Sequence, residues 1–115
     1  PVADFKTEKE LVSQVIKLNP YSNFIAIKEG KIIGTVFGAF NGWRGWVYHL
    51  AIDPFFQKKG LGSLLLQKAE QALKKAGAKR VLLGVKKLNG KALAFYKKQG
   101  YIKVNDAIWM GKDLI

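Results

Sequence analysis

The chain has 115 residues, with 20 Lys or Arg, 8 Asp or Glu, a formal charge of +12, one His and no Cys. That length fills one domain, 1–115, able to bury a core. The missing Cys excludes disulfides, thiolate metal centres and a Cys nucleophile, and the lone His excludes a His-rich metal site.

Thr7-Glu8-Lys9-Glu10 has the form of a capping box, and Leu11, Val12, Val15, Ile16 and Leu18 follow at helical spacing until Asn19-Pro20 stops the run. Phe24 to Lys28 and Lys31 to Phe40 read as strands joined by a Glu29-Gly30 hairpin turn. The stretch Ile32 to Trp43 is the longest apolar one, too short for a bilayer and interrupted by Gly and Asn. No signal-peptide pattern precedes it, so a soluble, cytoplasmic chain with no membrane partner is expected. Asn41-Gly42 marks a second turn, and Gly45 to Asp53 a third strand ending at Pro54.

Leu61, Leu64, Leu65, Ala69, Ala72, Leu73 and Ala76 recur at 3.6-residue spacing, and Gly77 closes that helix. Lys79 to Val85 reads as a buried strand, and Asn89 caps a shorter helix through Gln99, ended by Gly100. Tyr101 to Val104 and Ala107 to Met110 read as a closing two-strand hairpin. The order α-β-β-β-α-β-α-β-β predicts an α/β domain, a mixed and mostly antiparallel sheet covered by helices.

The chemistry sits between the third strand and the long helix, in Gln57-Lys58-Lys59-Gly60-Leu61-Gly62-Ser63. Two glycines let the backbone curl its N–H groups inward, and a helix starting there adds unpaired N–H groups and the positive end of its dipole. This is a cradle for a pyrophosphate. It lacks the Walker pattern, and Leu65 replaces the third glycine of the dinucleotide fingerprint. Taken alone, such a turn is more often merely structural.

Charge points the same way. Residues 1–56 carry six Lys or Arg against five Asp or Glu, whereas residues 57–115 carry fourteen against three. A basic half invites an anionic partner, or serves as a solvated surface. Lys outnumbers Arg, and zinc-finger, basic-zipper and RNA-recognition patterns are missing, which puts a nucleic-acid or ribosome-binding module behind the other readings.

From Val47 onward the chain resembles the GCN5-related N-acetyltransferase (GNAT) superfamily. Val47 to Pro54 matches its cofactor strand, and Gln57 to Gly62 its [QR]-x-x-G-x-[GA] signature. The later N-x-x-A-x-x-[FL]-Y-x-x-x-G-[FY] pattern is matched by Asn89, Ala92, Phe95, Tyr96, Gly100 and Tyr101, with Gly90-Lys91 less usual there. The Trp43-Arg44-Gly45-Trp46 turn looks like a small bacterial subgroup. The resemblance covers about 65 of the 115 residues.

It implies acetyl-coenzyme A (acetyl-CoA) as cosubstrate, without a metal, and an unidentified primary amine as acceptor. The pantetheine would pair with backbone at Leu50, Ala51 and Ile52. The pyrophosphate would sit on the amides of Lys59, Gly60, Leu61, Gly62 and Ser63, with Gln57 and Lys58 nearby. Tyr96 would donate a proton to the departing thiolate, or else pack as a core tyrosine. Asn89 is a helix cap and a possible cofactor contact. Family members that acetylate protein N-termini often carry a Glu where this chain has Gly84, which removes the obvious base. His49 on the cofactor strand is the next candidate, or else an ordinary half-buried strand residue, then Tyr48; Glu29 and Asp53 fit turn roles better. Trp43, Trp46 and Phe40 line an acceptor pocket or close the hairpin core.

Family domains begin with a further strand and helix, whereas about twenty residues precede Phe24 here. A fold lacking the first strand is expected, and its exposed sheet edge would favour a homodimer. A CoA-binding domain without catalysis is the alternative reading.

Overall fold

A computed structural model describes residues 13–104 and 108–114, which divide after Gly84 into two compact units. The capping-box residues lie outside the described part. Residues 13–18 are helical and end at Asn19, whose N–H donates to the Val15 carbonyl at 3.0 Å. The Asn19 side-chain oxygen then accepts the Phe40 N–H at 2.8 Å, so the residue that stops the helix also joins it to the sheet.

In the first unit, β1 (Asn23–Lys28) runs antiparallel to β2 (Lys31–Phe40). Glu29 and Gly30 take φ of 50° and 78°, the paired left-handed geometry that matches strand twist in a two-residue hairpin. The Asn41 carboxamide oxygen then accepts the Trp43 and Arg44 N–H groups at 2.8 and 2.7 Å and turns the chain into β3 (Gly45–Ile52). Helix α1 (Leu61–Ala76) crosses to β4 (Val81–Leu82), which pairs in parallel with β3. The strand order is β1-β2-β3-β4, a mixed and mostly antiparallel sheet.

Helix α1 lays Leu65, Leu66, Ala69 and Leu73 against Val36 and Val47, all buried. Each large side chain there contributes roughly 1.5–3 kcal/mol by leaving water. Close approach depends on β2. A Cβ at Gly34 would lie 2.8 Å from Leu65 Cδ1, and one at Gly38 2.9 Å from the Ser22 carbonyl oxygen. Gly77, at φ 116°, closes the helix, and the Ala78 N–H reaches back to the Leu73 carbonyl at 2.9 Å.

The strand expected over Lys79 to Val85 is a correction: only Val81 and Leu82 pair, with Gly45 and Trp46. Pairing ends before Leu83, and Gly84 follows directly, a residue that weakens a strand because it loses the most entropy on ordering and has no side chain to pack.

In the second unit, α2 (Gly90–Lys98) is capped by Asn89, whose side-chain oxygen accepts the Ala92 N–H at 3.0 Å. Gly100, at φ 93°, ends it, with the Tyr101 N–H on the Tyr96 carbonyl at 3.0 Å. The hairpin expected over Tyr101 to Val104 and Ala107 to Met110 is also corrected. Its described residues form no strand, and Ala107 lies outside them. Ile102, Val104, Ile108 and Met110 are exposed, so the apolar alternation that suggested the strands buries no face that would hold them in a sheet.

Candidate active site

The phase change in β3 occurs at His49. Phe37 pairs with Tyr48 and Thr35 with Ala51, so Val36 alone opposes both His49 and Leu50. This is a β-bulge, and His49 adopts φ 51°, a left-handed geometry that His tolerates better than most side chains. The Thr35 hydroxyl donates to the His49 carbonyl at 2.9 Å and fixes the kink. Val47 is buried before the bulge, whereas Leu50 and Ile52 are half-buried after it. The exposed imidazole meets the Phe37 ring edge-on, centroids 5.7 Å apart. Beside it Trp46 stacks on Tyr48 at 6.5 Å, and burial pushes the Tyr48 hydroxyl above its ordinary value.

Pairing with β4 stops at Trp46, so the outer edge of β3 over Val47 to Ile52 has no partner from that strand. Leu50, Ala51 and Ile52 lie on this edge. An extended ligand with amide groups could pair there as an added strand does.

The chain leaves β3 through Asp53, whose carboxylate accepts the Phe55 N–H at 2.9 Å and caps a single turn, Pro54–Phe56. The Gln57 carboxamide donates to the Ile52 carbonyl at 3.0 Å and ties the loop to the strand end. Lys58 and Gly60 then take φ of 61° and 84°. Gly60 is the N-cap of α1, and no side chain caps that terminus. The first turn holds no acidic residue, and Leu64 is the first to donate back, to the Gly60 carbonyl at 3.0 Å. The Leu61 and Gly62 amides therefore precede the first intrahelical bond at the positive end of a 16-residue helix. Such an end attracts an anionic group.

His49, Leu50, Ala51, Ile52 and the residues from Gln57 to Ser63 thus form one continuous run in the first unit, from bulge to helix start. Asn89 and Tyr96 belong to the second unit, on one helix. There Tyr96 packs edge-on against Phe95 at 5.1 Å and Tyr101 at 5.7 Å, and burial pushes its hydroxyl above the ordinary value. Asn89 makes the capping bond.

The aromatic residues near the second turn do not converge. Phe40 lies on the α1 side, 3.6 Å from where a Cβ on Gly77 would be, while Trp46 pairs with Ala39 and faces the other way. Trp43 is exposed beneath the Arg44 guanidinium, 4.1 Å from its ring. Sequence reasoning also missed Thr35, Lys28 and Phe56. The Lys28 and Lys59 ammonium groups stand 5.3 and 5.8 Å from the Phe56 ring centroid. A hairpin register written out in full would have brought Lys28 towards the loop. Among the described residues no three His, Asp or Glu side chains group as a metal site, and no helix is long and apolar enough to cross a membrane.

Several solved structures share this fold. Ard1 from Thermoplasma volcanium superposes with a TM-score of 0.77 at 23% identity, over 84% of this chain and 66% of that protein. The chain therefore spans about two thirds of its length. AAC(6')-Iy, in complex with a bisubstrate analogue, CoA-S-monomethyl-acetylneamine, gives 0.81 at 15% identity over 98% and 83% of the two chains. A putative acetyl transferase from Pyrococcus furiosus gives 0.71 at 25% identity over 99% and 81%. The family model for acetyltransferases of the GNAT type matches residues 2–101, through both units. The chain belongs to the GNAT acetyltransferase family.

Proposed function

We propose that this protein is an N-acetyltransferase that moves the acetyl group of acetyl-CoA directly to a primary amine. The observation that carries the reading is the run from the His49 bulge to the uncapped start of α1. An extended edge and an anion-attracting helix end follow each other without interruption, matching a ligand with an amide arm and a pyrophosphate. The residues present fit that ligand. Positive φ at Lys58 and Gly60 turns the loop, no carboxylate opposes the charge in the first helical turn, and a Cβ on Gly60 would meet nothing within 4 Å. The AAC(6')-Iy complexes with CoA and with a CoA bisubstrate analogue support the same cosubstrate.

The roles follow from the chemistry. Backbone at Leu50, Ala51 and Ile52 holds the pantetheine arm. The amides of Lys59 to Ser63 hold the pyrophosphate, with Gln57 fixing the loop and Lys58 at its rim. The acceptor nitrogen attacks the thioester carbonyl, the C–N bond forms and the C–S bond breaks. Tyr96 gives its hydroxyl proton to the departing thiolate. A phenol is protonated at neutral pH, as a general acid must be, and burial shifts it further the same way. A lysine-like amine is mostly protonated at pH 7, and His49, exposed on the bulge, takes that proton directly or through water. Asn89 orients the helix that carries Tyr96. Most of the acceleration comes from holding amine and thioester together. Both units serve one catalytic domain, and the lack of Cys fits a cytoplasmic setting.

Calorimetric titration with acetyl-CoA and with CoA tests the reading. Micromolar binding followed by amine-dependent thiol release supports it, and no binding at millimolar ligand by folded protein overturns it. Gly84, at the position where a Glu base was sought, favours a second reading, a CoA-binding domain without catalysis. The two differ in whether any amine elicits thiol release.

A further inference from the structure

Lys28 ends β1, and the two-residue turn returns the chain beside it at Lys31. The end of β3 reaches the same part of the sheet, because Gly34 pairs with Ile52 and the Asp53 N–H donates to the Ile33 carbonyl at 2.8 Å. The hairpin and the loop before α1 are therefore neighbours. Phe56 joins them, with Lys28 Nζ 5.3 Å and Lys59 Nζ 5.8 Å from its ring centroid.

A ring attracts an ammonium at such distances. Both ammonium groups gather at one ring beside the loop, and an anion placed there is attracted by each of them. This positive centre is made of side chains, one of them from outside the loop, whereas the helix start presents backbone amides. CoA carries a 3′-phosphate besides its pyrophosphate. We propose that Lys28 and Lys59, held by Phe56, form a separate position for that 3′-phosphate; this rests on the cosubstrate reading above. Lys28 and Lys59 touch the ligand, and Phe56 is a positioning residue.

The test compares CoA with 3′-dephospho-CoA by calorimetry, for the unmodified chain, Lys28→Met, Lys28→Arg and Phe56→Leu, with circular dichroism as a check on folding. Lys28→Met keeps the apolar stem and removes the charge. The unmodified chain is expected to bind CoA about tenfold tighter than the dephospho form. Lys28→Met loses about fivefold for CoA and leaves dephospho-CoA unchanged. Lys28→Arg keeps the preference, and Phe56→Leu narrows it. Equal binding of both ligands by the unmodified chain, or an equal loss for both in Lys28→Met, overturns the 3′-phosphate position while the cosubstrate reading stands. No binding of either ligand overturns both.

Discussion

The Thr35 hydroxyl holds the His49 carbonyl at 2.9 Å, across the place where β2 and β3 slip register. That one bond links the bulge to the strand beside it, and so fixes where Leu50 to Ile52 point. Thr35→Val keeps the branched shape and removes the donor. It is expected to cost about 1 kcal/mol in urea unfolding, and to weaken CoA binding, because the strand edge that follows relaxes. An unchanged denaturation midpoint would show that the bulge holds without it.

His49 separates backbone from chemistry. At φ 51° an L-residue is strained, and glycine is not. His49→Gly is therefore expected to keep stability within about 1 kcal/mol, while lowering kcat by roughly 10²-fold if the imidazole is the base. His49→Val restores neither and destabilises by about 1–2 kcal/mol, since a β-branched residue resists this geometry. Steady-state kinetics beside thermal melts distinguish the two effects.

Two glycines of β2 give unequal responses to the same added methyl. At Gly34 the nearest atoms are the side-chain ends Leu65 Cδ1 and Ile52 Cδ1, which can rotate away. At Gly38 the nearest is the Ser22 carbonyl oxygen, which also accepts the Gly38 N–H and cannot move without losing it. Gly38→Ala is expected to cost about 2–3 kcal/mol and Gly34→Ala less than about 1.5 kcal/mol, both read from chemical denaturation.

Tyr96→Phe removes the phenol oxygen and leaves the ring packed on Phe95 and Tyr101. Turnover should fall by about 10²–10⁴-fold with the dissociation constant for acetyl-CoA unchanged. The same variant changes the alkaline stability curve. Burial raises the folded-state pKa above the unfolded value of about 10. The stability this adds is complete below the unfolded value and is lost as pH rises through the folded one. The free energy of unfolding, measured from pH 9 upward, should therefore fall less steeply in Tyr96→Phe, and Tyr48, whose hydroxyl shifts the same way, contributes to the slope that remains.

Local signals were legible where the local chain decides. The apolar repeat of α1 and its stop at Gly77 are written in side chains three and four apart. Glu29-Gly30 and the Asn89 cap are likewise short-range features. The bulge was not legible, because Tyr48 and His49 break the alternation only for a reader who already knows which face meets α1. The strand read over Lys79 to Val85 came out too long because the buried-type apolar run does not show where its neighbour stops pairing, which is at Trp46. Tyr101 to Val104 alternates well enough for a strand, yet Ile102 and Val104 are exposed and the segment takes no strand conformation, so alternation alone did not decide it. The proximity of Lys28 to Phe56 depends on register across three strands, a distance in the fold of 28 positions along the chain.

The closeness of α1 to β2 bears on how this protein could be re-engineered. A mutational library confined to the loop from Gln57 to Ser63 would vary the anion contacts but inherit a helix whose height above the sheet is already set. That height is set by Gly34 and Gly38, which lie under Leu65 and Leu73 rather than in the loop. Diversifying the sheet glycines together with the helix leucines would shift the start of the helix relative to the sheet, a variable that substitutions within the loop leave untouched.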